Sequence, residues 1–269
     1  MEQTTRVEKH LMQAGIHAVK KGGAVLMNSF GKIQDISYKG TIDLVTETDR
    51  RSEDAVVDFL CREFPEHGIL TEEREERITG SSTRWILDPL DGTTNYAHSY
   101  PFFAVSLALE KKGRVVWGAV YDPLRDELFS AELGGGANVN GHPIRVSAAA
   151  DLEKSMLCTG FPYDVHHSEK NNIKNFISFI KVARAIRRDG SAALDLCYVA
   201  MGRFDGYWEM KLKPWDVAAG CLVVTEAGGR VTAFDGAPLD MLRGEVLASN
   251  GVIHDNMIRI LAGNKDGVA

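Results

Sequence analysis

No apolar run in this sequence approaches the roughly 20 residues that a membrane-spanning helix needs. The opening Met1-Glu2-Gln3-Thr4-Thr5-Arg6 lacks the basic-then-apolar layout of a secretory signal, so a cytoplasmic protein is expected. Cysteine is sparse. The four, Cys61, Cys158, Cys197 and Cys221, include no CxxC spacing, which points to reduced thiols in the core and away from a thiolate metal site. The eight histidines contain no HExxH, leaving zinc without a ligand set, and His166-His167 reads as surface loop. There is no Gly-x-x-x-x-Gly-Lys-Ser/Thr phosphate loop and no Gly-x-Ser-x-Gly nucleophile elbow. Gly134-Gly135-Gly136 is not a dinucleotide fingerprint either, because Val139 stands at the third glycine position. Repeats, low-complexity tracts and long Pro/Ser linkers are missing. Basic charge is in deficit: 31 Lys and Arg against 37 Asp and Glu give a net charge of −6, which withholds the electrostatic footprint of a nucleic-acid binder. A small phosphorylated molecule is compatible with that balance if metal ions reverse the local field.

What is present is the composition of an ordinary globular enzyme, with 44% hydrophobic and 25% charged residues. A chain of 269 residues can bury a sizeable core in one large domain or two packed halves. Val7, Leu11, Ala14, Ala18, Gly22 and Val25 recur at helical spacing and predict an amphipathic helix ending near Gly31. A second helix is predicted after Thr46-Glu47-Thr48-Asp49, with Ala55, Val56, Phe59 and Leu60 inward and Thr46 and Asp49 at capping-box-like spacing. Strand-like runs follow at Gly68 to Leu70, Arg84 to Leu87, Phe103 to Leu109, Val115 to Tyr121 and Glu127 to Ala131. Short turns such as Lys111-Lys112-Gly113 between them favour antiparallel pairing. Beyond a weak boundary at Ala148-Ala149-Ala150, helices are predicted over 171–184, 191–201, 215–227 and 254–261, alternating with strands. The expectation is an α+β, layered α/β chain: a single domain over 1–269, with a sheet in each half, about 1–147 and 148–269.

The most informative stretch is Trp85-Ile86-Leu87-Asp88-Pro89-Leu90-Asp91-Gly92-Thr93-Thr94-Asn95. An apolar strand runs straight into two aspartates, and a turn at the intervening Pro89 is expected to aim both carboxylates at one point beyond the strand end. Hard divalent cations take oxygen ligands, and magnesium is held by a few carboxylates together with water and substrate phosphate. The Leu90 carbonyl is a candidate ligand beside them. Gly92-Thr93-Thr94 then offers backbone N–H groups at an expected helix start, where the helix dipole favours an anion. Metal ligands on one side and phosphate-binding amides on the other make a phosphoryl-transfer site.

Two more acids suit the same chemistry. Glu72 lies in Thr71-Glu72-Glu73-Arg74-Glu75-Glu76; alone, it reads as part of a solvated charged loop. Asp216 lies in Lys213-Pro214-Trp215-Asp216-Val217-Ala218-Ala219-Gly220, where Pro214 suits a helix start; alone, Asp216 reads as an acid complementing the helix dipole. Together the pieces change that reading. Asp43-Leu44-Val45-Thr46-Glu47-Thr48-Asp49, Glu72-Glu73, the Asp88 to Asn95 motif, and Trp215 to Gly220 followed by Thr225-Glu226-Ala227-Gly228-Gly229 stand in the order and spacing of the inositol monophosphatase family. The sequence resembles that family over essentially its whole length.

The resemblance implies an αβαβα sandwich of the inositol monophosphatase/fructose-bisphosphatase type. It implies that Glu72, Asp88 and the Leu90 carbonyl hold a first magnesium ion and that Asp88, Asp91 and Asp216 hold a second. Glu72 would also lie near a third, with manganese as an alternative metal. Thr93, hydrogen-bonded towards Asp49, would orient the attacking water together with Glu72, and the amides of Gly92 and Thr93 would hold phosphate. Arg187, Gly190-Ser191-Ala192 and Glu209 match positions that line the family's substrate site, to which Asp91 and Asp216 also belong. One position departs from the pattern: Thr71 stands where the family commonly has glycine before the paired glutamates. The implied reaction is hydrolysis of myo-inositol monophosphate, or a related polyol or sugar phosphate, by metal-activated water. Asp88 is better used as a ligand than as a nucleophile, so no covalent phosphoenzyme is required. Lithium inhibition and a homodimer follow from the same resemblance.

Asp122-Pro123-Leu124-Arg125-Asp126 echoes the metal motif without its Gly-Thr-Thr and sits between two strands, so a hairpin turn is expected there. Fructose-1,6-bisphosphatase, histidinol phosphatase and 3′-phosphoadenosine 5′-phosphate phosphatase stand as alternative activities, and a regulatory or binding protein on the same fold as a non-enzymatic one. Arg187, Arg188, Lys211 and Lys213 suit a second phosphate or plain surface. Gly190-Ser191-Ala192 and Glu209 look closest to the inositol-phosphate type.

Overall fold

The computed structural model describes residues 7–32 and 47–263, together with the backbone of 36–38 and 44–46. The opening Met1 to Arg6, Asp43 of the family motif and the Thr46 side chain of the expected capping box lie outside the described residues. Helix α1 (Lys9–Ser29) buries Leu11, Ala18, Gly22 and Leu26 along one face, as a 3.6-residue period requires. Helix α2 (Glu47–Glu63) packs beside it and buries Val56, Val57 and Leu60. Between them β1 (Ile36–Tyr38) and β2 (Leu44–Thr46) pair antiparallel.

Both helices cover one face of a seven-stranded sheet whose strands lie in sequence order: β3 (Gly68–Thr71), β4 (Thr83–Asp91), β5 (Ala104–Lys111), β6 (Arg114–Asp122), β7 (Glu127–Glu132), β8 (Gly136–Val139) and β9 (His142–Pro143). From β4 onward the pairings are antiparallel, as the short turns predict. The pair β3–β4 is parallel. Its connection first doubles back along β3, where Arg77 and Ile69 exchange backbone hydrogen bonds of 2.8 and 3.0 Å, so the chain re-enters the sheet in its original direction. After β4 comes the short helix α3 (Thr93–Ala97).

The second sheet holds β10 (Met156–Thr159), β11 (Ala185–Arg187), β12 (Gly206–Glu209), β13 (Arg230–Thr232) and β14 (Val246–Ser249), ordered β11-β10-β12-β14-β13. On its outer face lie α4 (Ile173–Ile180) and α7 (His254–Gly263), packed around Phe179, Trp208, Leu247 and Met257. Between the two sheets sit α5 (Ala192–Ala200) and α6 (Pro214–Glu226), whose Leu194, Val199, Val217 and Val223 share one core with Ile86 and Phe129 of the first sheet and Tyr207 and Val246 of the second. A helix enclosed by two sheets must be apolar nearly all round, and these two are, apart from Asp195 in α5 and Asp216, Thr225 and Glu226 at the ends of α6. Helix α6 comes so near β6 that a Cβ on Gly118 would stand 2.8 Å from the Cα of Ala219. The layers alternate helix, sheet, helix, sheet, helix, the αβαβα sandwich.

The helix predicted over 171–184 is shorter than its apolar period suggests. It stops at Ile180 because 185–187 is drawn into parallel pairing with β10, Met156 opposite Ala185. The Asp122 to Asp126 segment forms the β6–β7 turn, with Asp122 Oδ1 accepting the N–H groups of Leu124 and Arg125 at 2.9 and 3.1 Å. Cys158, Cys197 and Cys221 are buried free thiols, and Cys61 is a half-buried one. Among the described residues no helix is long and apolar enough to cross a membrane.

One fully buried histidine ties α7 to the second sheet. His254 Nδ1 lies 2.8 Å from Ser249 Oγ and its Nε2 2.9 Å from Thr232 Oγ1. Burial, with the Arg230 charge nearby, lowers its pKa from 6.5 to about 4. The unfolded chain therefore takes up a proton below pH 6.5 that the folded protein refuses until about 4. The stability that depends on neutral His254 is complete above the upper value and lost as pH falls towards the lower one, about 3 kcal/mol in all. Urea midpoints should drop across this window in the wild type and drop less in His254→Gln. Parallel slopes for the two proteins would reject the assignment.

Candidate active site

An irregularity in β4 brings the first two acids together. Its register against β5 runs unbroken from Thr83 opposite Lys111 to Asp88 opposite Ser106, then shifts before Asp91 opposite Ala104. Proline has no N–H to give a ladder and is tolerated at such a bulge, where the strand bends and re-aims its side chains. The strand thus continues through Asp91 where the sequence predicts an end at Leu87. Ser52 of α2 anchors the bulge by donating its hydroxyl to the Pro89 carbonyl at 2.9 Å. Asp88 is buried, and its Oδ1 accepts the Leu90 N–H at 3.0 Å.

Gly92 then turns the chain into α3 with φ +97°, a conformation that favours glycine, and a Cβ there would also strike the Phe102 carbonyl at 2.9 Å. Thr93 Oγ1 lies 3.1 Å from Oδ1 of the buried Asp49 and 3.0 Å from the Leu90 carbonyl, so the expected Thr93–Asp49 pairing is in place. Asp91 Oδ2 accepts the Ser191 hydroxyl at 2.6 Å and the Ala193 N–H at 2.7 Å, which docks the end of β4 onto the start of α5. Ser191 is also the N-cap of that helix. Asp216, in the first turn of α6 after Pro214, accepts the Lys213 N–H on Oδ2 at 2.7 Å. It therefore caps the start of its helix and also lines the same cavity as the other acids.

Glu72 follows β3 in a loop clamped from below by Glu53 of α2, a side chain only 2% exposed. Glu53 Oε1 accepts the Thr71 hydroxyl and, at 3.2 Å, the Glu73 N–H, while Oε2 accepts Arg74 Nε at 2.9 Å. Thr71, the departure from the family's glycine, here supplies one of the bonds that hold the loop. Nothing in the sequence singles out Glu53 among the charged residues of α2. Asn95 also acts through the fold: its amide donates to the Phe102 and Asp189 carbonyls at 2.8 and 2.7 Å, tying α3 to the segment before α5.

Glu72, Asp88, Leu90, Asp91, Gly92, Thr93 and Asp216 line a cavity of about 490 Å³, and Gly190, Ser191, Ala192 and Glu209 line it as well. Arg187 does not. It ends β11 exposed, with Nη1 on the Ile186 carbonyl, and the neighbouring Arg188 lines the cavity in its place. Successive side chains leave an extended segment on opposite sides, so only one of the two arginines can face inward. Lys211 lines the cavity but is engaged by Asp164 at 2.6 Å and Ser168 at 2.8 Å.

The acids repel one another. Burial, then the charges of Glu72, Asp91 and Asp216, hold the Asp88 carboxyl well above the usual carboxylate range. Enclosure and then Glu72 do the same to Asp216, although it keeps some surface open to the cavity. Burial raises Asp91 to about 6 against the opposing bonds from Ser191 and Ala193. A cation among them would relieve this. Among the described residues no three acids, histidines or cysteines already close around one point as a preformed metal site. The residues present nevertheless fit a hard divalent ion by chemistry: the donors are all oxygen, and Asp88, Asp91 and Asp216 each commit one oxygen to protein hydrogen bonds and keep the other. Across the cavity, Glu209 Oε2 accepts the Tyr207 hydroxyl at 2.8 Å, and burial raises its pKa to about 7.

Beneath this wall Asp195, in the first turn of α5, is buried with no hydrogen-bond partner on either oxygen. Burial, followed by the charges of Asp189, Glu209 and Asp91, raises its pKa well above the usual range. The folded protein thus holds a proton that the unfolded chain releases, so stability falls as pH climbs from the ordinary carboxylate range towards the raised value. Asp195→Asn should raise Tm, and by more at alkaline than at mildly acidic pH. A Tm difference that does not change with pH would contradict a neutral Asp195.

An αβαβα sandwich that gathers four acids, a threonine and a helix start at one cavity is the frame of a phosphatase. Residues 8–265 match the model of the inositol monophosphatase family, and the chain belongs to that family. It is 45% identical over 253 residues to the Inositol-1-monophosphatase of Synechocystis sp., covering 93% of this chain and 88% of that one. It is 42% identical over 243 residues to the Nus factor SuhB of Salmonella typhimurium, covering 89% and 91%. The crystal structure of the extragenic suppressor protein suhB from Bartonella henselae matches the fold with a TM-score of 0.91 at 41% identity, over 97% of this chain and 100% of that one.

Proposed function

We propose that the protein is a magnesium-dependent phosphomonoesterase that hydrolyses myo-inositol monophosphate, or a related polyol or sugar phosphate, to the alcohol and inorganic phosphate. The observation that carries this reading is the pairing, across one cavity, of Glu72, Asp88, Asp91 and Asp216 with Glu209. The acid wall suits cations and the phosphate they bind. The Glu209 wall suits hydroxyls.

Two or three magnesium ions, or manganese in their place, would be held by Glu72, Asp88, the Leu90 carbonyl, Asp91 and Asp216. Bound there, they supply charge neutralisation at the phosphoryl group and lower the pKa of water. The chain's own groups do the positioning. With its hydroxyl hydrogen given to Asp49, Thr93 Oγ1 presents a lone pair that accepts one hydrogen of the attacking water, and Glu72 accepts the other. The N–H groups of Gly92 and Thr93, at the start of α3, bind phosphate oxygens. Gly190, Ser191 and Ala192 form the wall beside the sugar or polyol, and Glu209 accepts hydrogen bonds from its hydroxyls. In-line attack by water then needs no covalent phosphoenzyme.

Glu209→Gln tests the recognition half of this reading. It should lower kcat/KM for inositol monophosphate by about 10–100-fold, because a site arranged around hydroxyls loses a charge-assisted pairing. An aryl phosphate without such hydroxyls should lose much less. Equal losses on both substrates would make Glu209 a support of the whole site and not a reader of the alcohol.

The relative named as a Nus factor favours a second reading, a binding or regulatory role carried on the same fold. A pure scaffold has no use for Glu72, Asp88, Asp91, Thr93 and Asp216 all retained around one cavity, which sets the catalytic reading first. A cytoplasmic homodimer inhibited by lithium accords with it. The exposed Ile173, Ile177 and Ile180, at 42%, 46% and 55% on α4, offer apolar surface that a second copy would cover.

A further inference from the structure

Strands β10 and β12 run parallel with Thr159 beside Trp208, so the chain leaving β10 at Gly160 passes the side chain of Glu209. Gly160 is buried, and a Cβ built on it would stand 2.2 Å from both carboxylate oxygens of Glu209 and 2.3 Å from its Cδ. No non-bonded pair of heavy atoms tolerates that approach without one of them shifting, and each side is held. The Gly160 carbonyl accepts the Asn172 amide at 2.7 Å, and Asn172 in turn accepts the indole N–H of the wholly buried Trp208 at 2.9 Å. On the other side, the equally buried Tyr207 donates its hydroxyl to Glu209 Oε2 at 2.8 Å. The carboxylate therefore lies flat over a backbone that cannot retreat, with one oxygen fixed from behind.

We propose that Gly160 and Tyr207 are positioning residues for substrate selection. Gly160, by carrying no side chain, leaves the seat in which the Glu209 carboxylate rests. Tyr207 fixes the rotation of that carboxylate, so that its other oxygen is presented to the hydroxyls of the substrate alcohol. The inference rests on Glu209 reading the alcohol. It makes preference for a hydroxyl-rich phosphate depend on a backbone position in β10's exit, remote in sequence from the metal and phosphate motif. Tyr207 acts in the same way through Glu209, without touching the reacting phosphate.

The test compares kcat and KM for inositol monophosphate and p-nitrophenyl phosphate, with magnesium supplied, in the wild type, E209Q, G160A, Y207F and the G160A/E209Q double variant. In G160A the added methyl evicts the carboxylate. KM for inositol monophosphate should rise about 10–100-fold with kcat altered far less, because binding is lost equally before and during the chemical step. The loss on p-nitrophenyl phosphate should be several-fold smaller. The double variant should lose no more than E209Q alone, since both changes remove one interaction. Y207F, which preserves the ring and its packing, should raise the same KM to a lesser degree; a G160A protein that does not fold would show that Gly160 serves the fold itself and would overturn its part in selection. If E209Q discriminates between the substrates while G160A harms both alike, or adds fully to E209Q, the positioning role is overturned and the reading of Glu209 stands. An unchanged KM in Y207F overturns the Tyr207 part. If E209Q itself fails to discriminate, the reading of Glu209 falls and the inference falls with it.

Discussion

Asp91→Asn is expected to fold like the wild type and to lose about 10²–10⁴ in kcat, roughly 3–5.5 kcal/mol of barrier lowering. The substitution keeps the shape of the side chain, and its amide oxygen can still accept the Ser191 hydroxyl and the Ala193 N–H that dock β4 on α5. What disappears is the charge of a group already pushed up to about 6 by burial, so stability should be unchanged or improved. The chemistry suffers because a developing negative charge at the phosphoryl group is answered by cations that this carboxylate is proposed to hold. A folded variant with near wild-type turnover would remove Asp91 from the ligand set.

Withdrawal of divalent cations should abolish turnover, and magnesium should restore it, with manganese able to substitute. The same cations should raise Tm, because Asp88 and Asp216 are held in mutual repulsion that a cation relieves. Occupancy at a hundred times Kd would add about 2.7 kcal/mol of stability. This second readout does not depend on catalysis. Undiminished activity after exhaustive chelation would contradict the assigned role of the four acids, and a Tm indifferent to magnesium would contradict their binding it.

The elements legible in the sequence are those with a strong local period. Helices α1 and α2 show a one-sided apolar face, and strands β4 to β7 are apolar runs closed by short turns. The linear motif from Asp88 to Asn95 is legible because its residues are neighbours in the chain. What escapes is whatever depends on pairing across the fold. The bulge at Pro89 and Leu90 exists only in the register against β5. The α4 helix ends early because β10 captures 185–187. Asp91 meets Ser191 across 100 residues, and Glu53 reaches Thr71 across 18, with no spacing rule to announce either contact. Arg187 and Arg188 are equivalent as letters, and only the direction in which β11 ends decides which one faces the cavity.

Phosphate release, followed side by side on myo-inositol monophosphate, fructose 1,6-bisphosphate, histidinol phosphate and 3′-phosphoadenosine 5′-phosphate, with magnesium supplied or withheld, tests the proposed activity most directly. The prediction is a highest kcat/KM for inositol monophosphate and no release from any of the four without metal. Release that persists in the absence of metal, or a clear preference for one of the other three substrates, would contradict it.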